Sequence, residues 1–377
     1  MKKAPIIGIF GGGQLGRMSI LAGRRLGLHF RVFEPKRGSS AAKVADEVVI
    51  GPYEDLQLVR QFATGLDVVT VEFENVPAAA MRCAAEVTAV RPSVQVLEIA
   101  QHRQREKTWL RDHGFPCAPF RVIEARSALE VALQALGLPA VLKTAAFGYD
   151  GKGQVKLTSA DPATLDQAWA ALGGQTAVLE AWIPHQGEVS VIGARSPTGE
   201  VAFYPLAENL HRNHILHQTI VPARVPAALE EEAQSLARAL FEKIELVGLL
   251  AIELFIGPDG HLLVNELAPR PHNSGHHTLD ANVTSQFEQH VRAVLGWPLG
   301  STEGVRPAVM TNLLGDLWQG REPNFHRLLA DPTVKLHLYD KGAPAVGRKM
   351  GHYTVLDPDP AAALFRANQH FEALSVS

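Results

Sequence analysis

The chain has 377 residues, enough for two or three domains, and its content of 46% hydrophobic and 20% charged residues is typical of a globular enzyme. Its 36 basic and 39 acidic residues give a formal charge of -3, which argues against a nucleic-acid-binding protein, since such proteins present a basic face. Two cysteines provide no disulfide framework and no apolar run has membrane-spanning length, so a cytoplasmic protein is expected.

The first part of the chain alternates strand-like with helix-like segments. A buried strand is predicted at Ile6–Phe10, a helix from about Leu15 to Leu26, and a second strand at Phe30–Phe33. Short apolar runs at Val48–Ile50 and Asp67–Val71 add further strands. This alternation predicts a parallel sheet with helices on its faces.

A glycine-rich loop separates the first strand from the first helix. Gly11, Gly13 and Gly16 have the spacing that lets backbone amides and a helix N-terminus bind a phosphate. Glu34 closes the second strand, where a dinucleotide-binding fold has its ribose-binding acid. Taken alone, the loop favours a nicotinamide-dependent oxidoreductase. Such loops serve about as often as tight turns, so both interpretations stay open.

Beyond this sheet the pattern changes. Val94 to Arg111 has a helical pattern that is expected to close the first domain, and strands are predicted at Ala140–Leu142 and Ala177–Leu179. Ala227–Lys243 is rich in alanine, leucine and glutamate, which predicts a long helix. After residues 297–300 a smaller region begins, and it ends in a helix from about Ala361.

Lys143 lies at the end of a predicted strand, where its ammonium group is well placed to bind a phosphate. It is followed by Gly148, Gly151 and Gly153, and these glycines let a loop fold closely over phosphates through its backbone amides. The alternative is an exposed hairpin with a solvated lysine. A loop that also carries tyrosine, aspartate and lysine favours a binding role.

A predicted purine-binding segment follows. The apolar strand that contains Glu180 leads into a short connector whose backbone suits the edge of a purine, with Glu180 accepting from the exocyclic amine. Glu188, at the start of the next strand, suits ribose hydroxyls. In isolation these residues describe an ordinary hairpin with surface acids, and their order along the chain is what favours a nucleotide site.

The most informative segment is the polar run at 265–276, which follows the apolar residues Leu262–Val264, where a strand is expected to end. An earlier apolar run ends in Glu253. A turn at Gly257–Gly260 would join the two runs as antiparallel strands, with Glu253 and Glu266 side by side. Adjacent carboxylates are costly unless a cation lies between them. The pair therefore predicts a magnesium site, and with it the phosphates of a nucleotide.

The chain has 16 histidines, several of them clustered, which raises the alternative of a zinc site. No pair has zinc-ligand spacing on a predicted helix beside an acid, and cysteine ligands are absent from the sequence pattern. Binding anions or orienting oxygen atoms is the favoured role. The clustered residues are His211, His214, His217, His272, His276 and His277.

The phosphate lysine, glycine lid, purine segment, ribose acid and paired metal acids occur in the order found in ATP-grasp enzymes. Longer motifs make the resemblance more specific, and nearly the whole chain resembles the 5-(carboxyamino)imidazole ribonucleotide synthase family of purine biosynthesis. These motifs are residues 11–18, 73–76, 148–154 and 265–276, with a tail motif at 339–341 and 347–352.

The resemblance implies a mixed α/β and α+β fold with ATP-grasp architecture. Residues 1–102 would form a Rossmann-like parallel-sheet domain, and residues 103–297 a two-lobed ATP-grasp domain with a glycine lid around 147–154. Residues 298–377 would form a small domain that completes the acceptor site. The resemblance also implies a homodimer.

The resemblance further implies site residues, with Glu253 and Glu266 binding Mg²⁺. ATP would be bound by Arg103, Lys143, Gly148, Tyr149, Asp150, Gly151, Lys152, Gly153, Gln154, Glu180, Ala181, Trp182, Ile183, Glu188, His211, Asn265 and Glu266. The acceptor, aminoimidazole ribonucleotide, would contact Gln14, Leu15, Glu72, Tyr149, Lys152, His272, Lys341 and Arg348. Catalysis would depend on Asp150, His272, Lys341, Arg348 and Arg270, the last lying where bicarbonate is activated.

The implied reaction is ATP-dependent carboxylation of aminoimidazole ribonucleotide with bicarbonate through carboxyphosphate. A formate-dependent glycinamide ribonucleotide transformylase is the nearest alternative, because it would share the nucleotide and metal sites. A nicotinamide-dependent oxidoreductase would leave the residues from Lys143 to Gln154 and the paired acids without a role. A non-catalytic nucleotide-binding relative would not need the metal acids. Neither a nucleic acid nor a membrane is expected as a partner.

Overall fold

The computed structural model describes residues 4–146 and 153–376. Within these residues the strands form one parallel and two antiparallel sheets, which confirms the predicted mixture of α/β and α+β structure. No helix in this part of the chain is long and apolar enough to cross a membrane.

The first sheet is parallel and covered by helices, as the alternation of segments predicts. Its elements are β1 (Ile6–Phe10), α1 (Gln14–Arg24), β2 (His29–Glu34), β3 (Glu47–Ile50), α2 (Leu56–Ala63), β4 (Val68–Val71), α3 (Ala78–Ala85), β5 (Ala89–Val90) and α4 (Val94–Ala100). The strands lie in the order β3-β2-β1-β4-β5. The glycine loop and the segment after β4 therefore meet at the carboxyl edge of neighbouring strands, where ligands of open α/β sheets bind.

The helix expected from Val94 to Arg111 is two helices in the structure. The first, α4, ends at Ala100, and α5 (Arg103–Asp112) begins after a break at Gln101 and His102. The side-chain amide of Gln101 donates to two backbone carbonyls of the loop after β4, at 2.5 and 2.7 Å, and His102 has an extended backbone. The prediction of one helix was wrong because these bonds to a distant loop turn the chain.

A small antiparallel lobe follows. Its elements are β6 (Phe120–Ile123), α6 (Leu129–Leu136), β7 (Ala140–Thr144), β8 (Gln154–Leu157), α7 (Pro162–Ala171) and β9 (Ala177–Ala181). The strands lie in the order β6-β9-β7-β8, and both helices bury apolar residues against one face of the sheet. The strands predicted near 140 and 177 are β7 and β9.

The remaining strands form one large antiparallel sheet. The elements are β10 (Gly187–Arg195), β11 (Val201–Phe203), β12 (Ala207–Arg212), β13 (Ile215–Val221), α8 (Ala227–Lys243), β14 (Gly248–Ile256), β15 (Leu262–Ala268), α9 (Thr278–Ala281), α10 (Gln286–Leu295), β16 (Ala308–Leu314), α11 (Phe325–Leu329), β17 (Val334–Leu338), β18 (Lys349–Leu356) and α12 (Pro360–Val376). The order is β15-β14-β10-β12-β13-β16-β18-β17, with β11 paired to β10. The strands after residue 297 thus extend the sheet of the preceding part.

Buried contacts hold the first domain against the large sheet. Val291 and Val294 of α10 belong to the same buried cluster as Ile7 and Ile9 of β1, and α1 packs alongside α10. Burial of such aliphatic side chains stabilises the packing by roughly 1.5–3 kcal/mol each. Residues from the first domain and from the large sheet therefore line one cleft.

Candidate active site

Glu253 of β14 and Glu266 of β15 lie directly opposite each other across antiparallel strands, as the sequence predicts. Burial, together with the neighbouring Glu266 carboxylate, raises the pKa of Glu253 to about 8. A divalent cation between the two would offset this penalty, and carboxylate oxygens are the ligands that Mg²⁺ prefers. The donor set therefore fits the predicted magnesium site.

β15 does not end at Val264 as expected but continues to Ala268. Its pairing with β14 shifts after Glu253, so that Asn265 is an additional residue in β15 and forms a bulge. Side chains of α5 bond the outer edge of the strand along this stretch. The strand therefore continues through the polar residues Asn265 and Glu266, because these bonds hold their backbone in extended geometry.

A buried carboxylate, Glu180 of β9, gathers three cations. Lys143 Nζ donates to Glu180 Oε2 at 2.9 Å, Lys107 Nζ lies 3.9 Å from the same oxygen, and Arg103 Nη1 lies 3.7 Å from Oε1. Burial alone would raise the pKa of Glu180, but these cations lower it to about 2. Arg103 also approaches Glu266 Oε2 at 3.7 Å, so one guanidinium links the strand predicted to bind the purine to one of the acids predicted to bind the metal.

Glu188 of β10 lies beside two histidines. Its Oε2 atom is 3.1 Å from His211 Nδ1 on β12, and its Oε1 atom is 3.6 Å from His185 Nε2. Burial raises the pKa of Glu188 to about 7. The structure thus brings together two of the residues predicted to bind the nucleotide.

The connector after β9 is fixed by its backbone. Ala181 ends the strand, and Trp182 and Ile183 follow it. The N–H groups of Ala181 and Trp182 donate to the carbonyls of Pro119 and Pro139 at 2.9 and 3.1 Å. These bonds hold the predicted purine-binding connector beside the buried carboxylate of β9.

Of the predicted glycine lid, Gly153 and Gln154 belong to the described part of the chain. Gly153 has a φ of +71°, and a Cβ atom there would lie 2.6 Å from Thr144 Oγ1, so glycine is required where the lid joins β8 at Gln154. The other predicted lid residues lie outside the described part of the chain: Gly148, Tyr149, Asp150, Gly151 and Lys152.

Arg270, just beyond β15, forms an ion pair through its Nε atom with Glu74, in the loop after β4. The two side chains are only 15% and 20% exposed. Burial alone would lower the pKa of Arg270, but the pairing with Glu74 raises it. The sequence indicated the motif at 73–76 but no role for Glu74, because its partner lies 196 residues away.

His272 lies next to the metal acids. Its Nε2 atom is 3.3 Å from Glu253 Oε1, and its Nδ1 atom is 2.8 Å from Ser274 Oγ. Burial holds the pKa of His272 well below its usual range, so the ring is neutral. The structure thus places this residue, predicted to contact the acceptor, beside one of the two paired acids.

The glycine loop after β1 already surrounds a carboxylate. Glu72 Oε1 accepts from the Gly13 amide at 2.7 Å, and Oε2 accepts from the Gly16 amide at 3.3 Å. A Cβ atom at Gly13 would lie 2.5 Å from Glu72 Oε1, which explains the glycine. The structure thus bonds these amides to the Glu72 carboxyl group, which favours the tight-turn interpretation of the loop over the phosphate site and weakens the nicotinamide alternative.

Two further residues predicted at the acceptor site lie in the same helix. Gln14 is the first residue of α1 and is partly exposed. The Leu15 side chain, in contrast, is buried in a cluster with Phe287 and Tyr339. A ligand contact at Leu15 would therefore involve its backbone.

The tail motif is docked on the first domain. Ser40 Oγ donates to the carbonyl of Tyr339, and Lys43 Nζ donates to Asp340 Oδ1 at 2.5 Å. Lys341 follows directly and is partly buried. Arg348 is exposed and donates to the carbonyl of Ala343 at 2.9 Å. The tail thus lies beside the glycine loop, where the acceptor is predicted to bind.

Two buried residues of α5 escaped the sequence analysis. Glu106 Oε1 accepts from the Leu267 amide at 2.6 Å, and Lys107 Nζ donates to the carbonyls of Val264 and Asn265 at 3.2 and 2.9 Å. In the sequence these two residues are only a Glu-Lys pair within a helical pattern, which does not distinguish them from surface residues. Their contacts with β15 become apparent only in the folded structure.

The clustered histidines do not form a ligand set. Over residues 4–146 and 153–376, no group of three or more histidine, cysteine, aspartate or glutamate side chains is arranged to hold a metal ion. His276, His277 and His352 are buried among aromatic and backbone groups, and burial lowers the pKa of each. His276 packs against the tail motif, with its ring centroid 5.0 Å from that of His352.

Family models cover most of the chain. A ribonucleotide synthetase preATP-grasp domain matches residues 1–101, an ATP-grasp domain matches residues 108–287, and a phosphoribosylaminoimidazole carboxylase C-terminal domain matches residues 308–366. The three matches follow one another in the order of the parallel sheet, the small lobe with the large sheet, and the C-terminal strands.

Whole-chain relatives agree with these models. The chain is 44% identical to N5-carboxyaminoimidazole ribonucleotide synthase of Bacillus subtilis over 93% of its own length and 91% of that protein. An N5-carboxyaminoimidazole ribonucleotide synthetase solved as its ADP complex is 41% identical, with a TM-score of 0.92 over 98% of both chains. The Aspergillus clavatus N5-carboxyaminoimidazole synthase, solved with ADP and 5-aminoimidazole ribonucleotide, is 31% identical, with a TM-score of 0.89 over 99% of both chains.

The Glu74–Arg270 pair is expected to stabilise the contact between the first domain and the large sheet. Glu74→Gln keeps a hydrogen-bond acceptor but leaves a largely buried guanidinium without its counter-charge, so the free energy of unfolding should fall by about 2 kcal/mol in urea titrations. Glu98→Gln breaks the more exposed pair with Arg82 and should change it by less than about 0.5 kcal/mol. Equal effects of both substitutions would contradict a special role for Glu74.

Nucleotide affinity is expected to depend on the charge of Glu188. The ionised carboxylate is the form that would accept hydrogen bonds from both ribose hydroxyls at the predicted site, and with a pKa of about 7 the ionised fraction falls as the pH falls. Calorimetry should show ADP binding up to about tenfold weaker at pH 6 than at pH 8. Glu188→Gln should bind ADP weakly at both pH values, and a tenfold change that persists in this variant would assign the titration to another group.

Proposed function

Since the chain belongs to the N5-carboxyaminoimidazole ribonucleotide synthase family of ATP-grasp proteins, we propose that it uses ATP to carboxylate 5-aminoimidazole ribonucleotide with bicarbonate. The products are 5-carboxyamino-1-(5-phospho-D-ribosyl)imidazole, ADP and phosphate. One observation of the structure supports this most strongly. The paired acids Glu253 and Glu266 share a cleft with Arg103, Lys143 and Glu180, as a metal-nucleotide site requires.

The chemistry overcomes the poor electrophilicity of bicarbonate. A bicarbonate oxygen attacks the γ-phosphorus of ATP, the bond to ADP breaks, and carboxyphosphate forms. The acceptor amine then attacks the carbonyl carbon, phosphate leaves, and the nitrogen loses a proton. Phosphoryl transfer of this kind needs little covalent work from the protein, so positioning and charge stabilisation dominate.

The nucleotide lies between the small lobe and the large sheet. Glu180 accepts from the adenine amine, while Glu188 and His211 bind the ribose. Lys143 and Arg103 supply positive charge to the phosphates. Lys143 is bonded to Glu180 at 2.9 Å in this structure, so its ammonium group lies within the site before any phosphate arrives.

ATP-grasp enzymes use divalent cations, and we infer that Mg²⁺ is the ion bound by Glu253 and Glu266. Two facing carboxylates, with the pKa of Glu253 raised to about 8, form an oxygen-rich site that favours a hard cation. An Mg²⁺ ion held by Glu253 and Glu266 would offset charge on the transferring phosphoryl group. Asn265, the residue before Glu266 in β15, provides a side-chain amide oxygen for the same nucleotide site.

The acceptor binds between the first domain and the tail. Gln14 and Glu72 approach it from the first domain, and Lys341 and Arg348 from the tail, with His272 beneath. The docking of Tyr339 and Asp340 on Ser40 and Lys43 supports this arrangement, because it brings the tail to the glycine loop. The predicted lid residues Tyr149, Asp150 and Lys152 would complete the enclosure.

Bicarbonate binds at Arg270. Its guanidinium is held by Glu74 and carries a positive charge at every working pH, since the pKa of Arg270 is raised by that pairing. A fixed guanidinium orients a planar carboxylate-like anion through paired hydrogen bonds.

The homodimer is proposed only because the family resemblance implies it, and sedimentation equilibrium tests it.

The reaction is tested by ADP release. ADP should form with ATP, Mg²⁺ and bicarbonate, and its rate should rise when 5-aminoimidazole ribonucleotide is added. Product analysis by mass spectrometry should show one added carboxylate. Formate-dependent ADP release with glycinamide ribonucleotide, and none with bicarbonate, would instead support the transformylase alternative.

Glu266→Gln is expected to lower kcat by roughly 100-fold or more, because a metal ligand loses its charge. Circular dichroism should show an unchanged fold. Asp259→Asn, in the exposed turn of the same hairpin, is the control and should keep kcat near that of the wild type. Near-normal turnover of Glu266→Gln would move the metal site elsewhere.

Lys341→Ala is expected to raise the KM for the ribonucleotide by at least about tenfold, since a charged contact to its phosphate is lost. The KM for ATP should change by less than about twofold, because the nucleotide groups lie on other elements. Lys335→Ala, at an exposed position of β17, is the matched control. Equal increases in both KM values would place the tail outside the acceptor site.

A further inference from the structure

β15 is an edge strand, and α5 bonds its open edge. On one side β15 pairs with β14, and it is the last strand of the large sheet in that direction. On the other side, the Val264 amide donates to the carbonyl of Pro116 at 2.7 Å, and the Leu267 amide donates to Glu106 Oε1 at 2.6 Å. A side chain of α5 and the backbone of the segment after this helix thus bond an edge that a further strand would otherwise cover.

The bonds from Lys107 fall at the bulge. Its ammonium group donates to the carbonyl oxygens of Val264 and Asn265 at 3.2 and 2.9 Å. A bulge leaves its extra residue outside the ladder of the neighbouring strand, so Asn265 depends on another donor to hold its backbone. Glu106 holds the residue after Glu266, and Lys107 holds the residue before it. Both sides of the metal acid are therefore fixed by adjacent residues of α5.

Burial makes these two side chains costly unless they are bonded. Lys107 is 0% exposed and Glu106 is 2% exposed. A buried ammonium group destabilises a protein by several kcal/mol unless it is fully paired, and an apolar side chain would fill the same space at no such cost. Lys107 also lies 3.9 Å from Glu180 Oε2. One buried cation therefore links the strand of the metal acid to the strand of the purine acid.

We propose that Lys107 and Glu106 are positioning residues of the nucleotide-metal site. They set the backbone of Asn265 and Glu266, and Lys107 sets the distance between that strand and Glu180. Neither residue contacts the substrates; both act through the residues that do. The inference rests on the proposed function, because it assigns the nucleotide and its metal to Glu180, Asn265 and Glu266.

Lys107→Met tests the cation. Methionine has nearly the same shape and lacks the donors, so the bulge loses its support without a large cavity. ADP binding in the presence of Mg²⁺, measured by calorimetry, should weaken by about 10- to 100-fold, and the KM for ATP should rise in proportion. The KM for the ribonucleotide should stay within about twofold of the wild type.

Arg105→Met is the matched control. Arg105 lies on the exposed side of the same helix, so this substitution removes a cation two residues away without touching β15. Its ADP affinity should equal that of the wild type. If it also binds ADP tenfold more weakly, net charge rather than strand position explains the result, and the proposal is wrong.

Glu106 supplies a second test that does not depend on Lys107→Met folding. Glu106→Gln keeps an acceptor for the Leu267 amide, whereas Glu106→Leu does not. The Mg²⁺ concentration for half-maximal tightening of ADP binding should rise by about tenfold in Glu106→Leu and by much less in Glu106→Gln. Equal Mg²⁺ requirements in two folded variants would overturn the proposal.

The outcomes separate this inference from the proposed function. If the wild type releases no ADP with bicarbonate and the ribonucleotide, the proposed reaction fails, while calorimetry still decides the positioning role. If the variants are folded and bind ADP as the wild type does, the positioning role fails alone. A merely structural role would lower the melting temperature and the active fraction while leaving ADP affinity and the KM ratio unchanged.

Discussion

The juxtaposition of two carboxylates is the constraint on which the rest of the site depends. Glu253 and Glu266 face each other in surroundings where burial penalises charge, and two ionised groups there repel each other. One cation connects this pair to a third buried acid: Arg103 approaches both Glu266 and Glu180, and two lysines lie beside Glu180. This alternation of acids and bases prepares the cleft for a polyanion that arrives with its own divalent cation.

What the sequence predicted well was local. The alternation of strands and helices before residue 100 predicts a parallel sheet, and α8 has the bounds that its composition predicts. Glu253 and Glu266 were predicted as neighbours because a four-residue turn at Gly257–Gly260 fixes the register of the strands it joins. Patterns of this kind reveal contacts between residues that are close along the chain.

What the sequence could not reveal depends on distant partners. Glu72 accepts from the Gly13 amide over a separation of 59 residues, so the sequence left open whether the glycine loop binds a phosphate or forms a tight turn. Glu74 holds Arg270 over a separation of 196 residues, and Lys107 reaches β15 over 157 residues. A helical pattern specifies which face of α5 is buried, but not that a lysine on that face would bond a bulge. Only the packed chain determines these partners.

The tail comes late in the chain, after every residue assigned to the nucleotide and the metal. During synthesis the residues assigned to nucleotide and metal are all made once β15 is complete, while β16 to β18 and Lys341 are made later. Until β16 pairs with β13, the nascent large sheet has an open edge at β13 and the first domain has no tail docked on it. This segment therefore covers the open edge of β13 and also brings the proposed acceptor residues of the tail to the first domain.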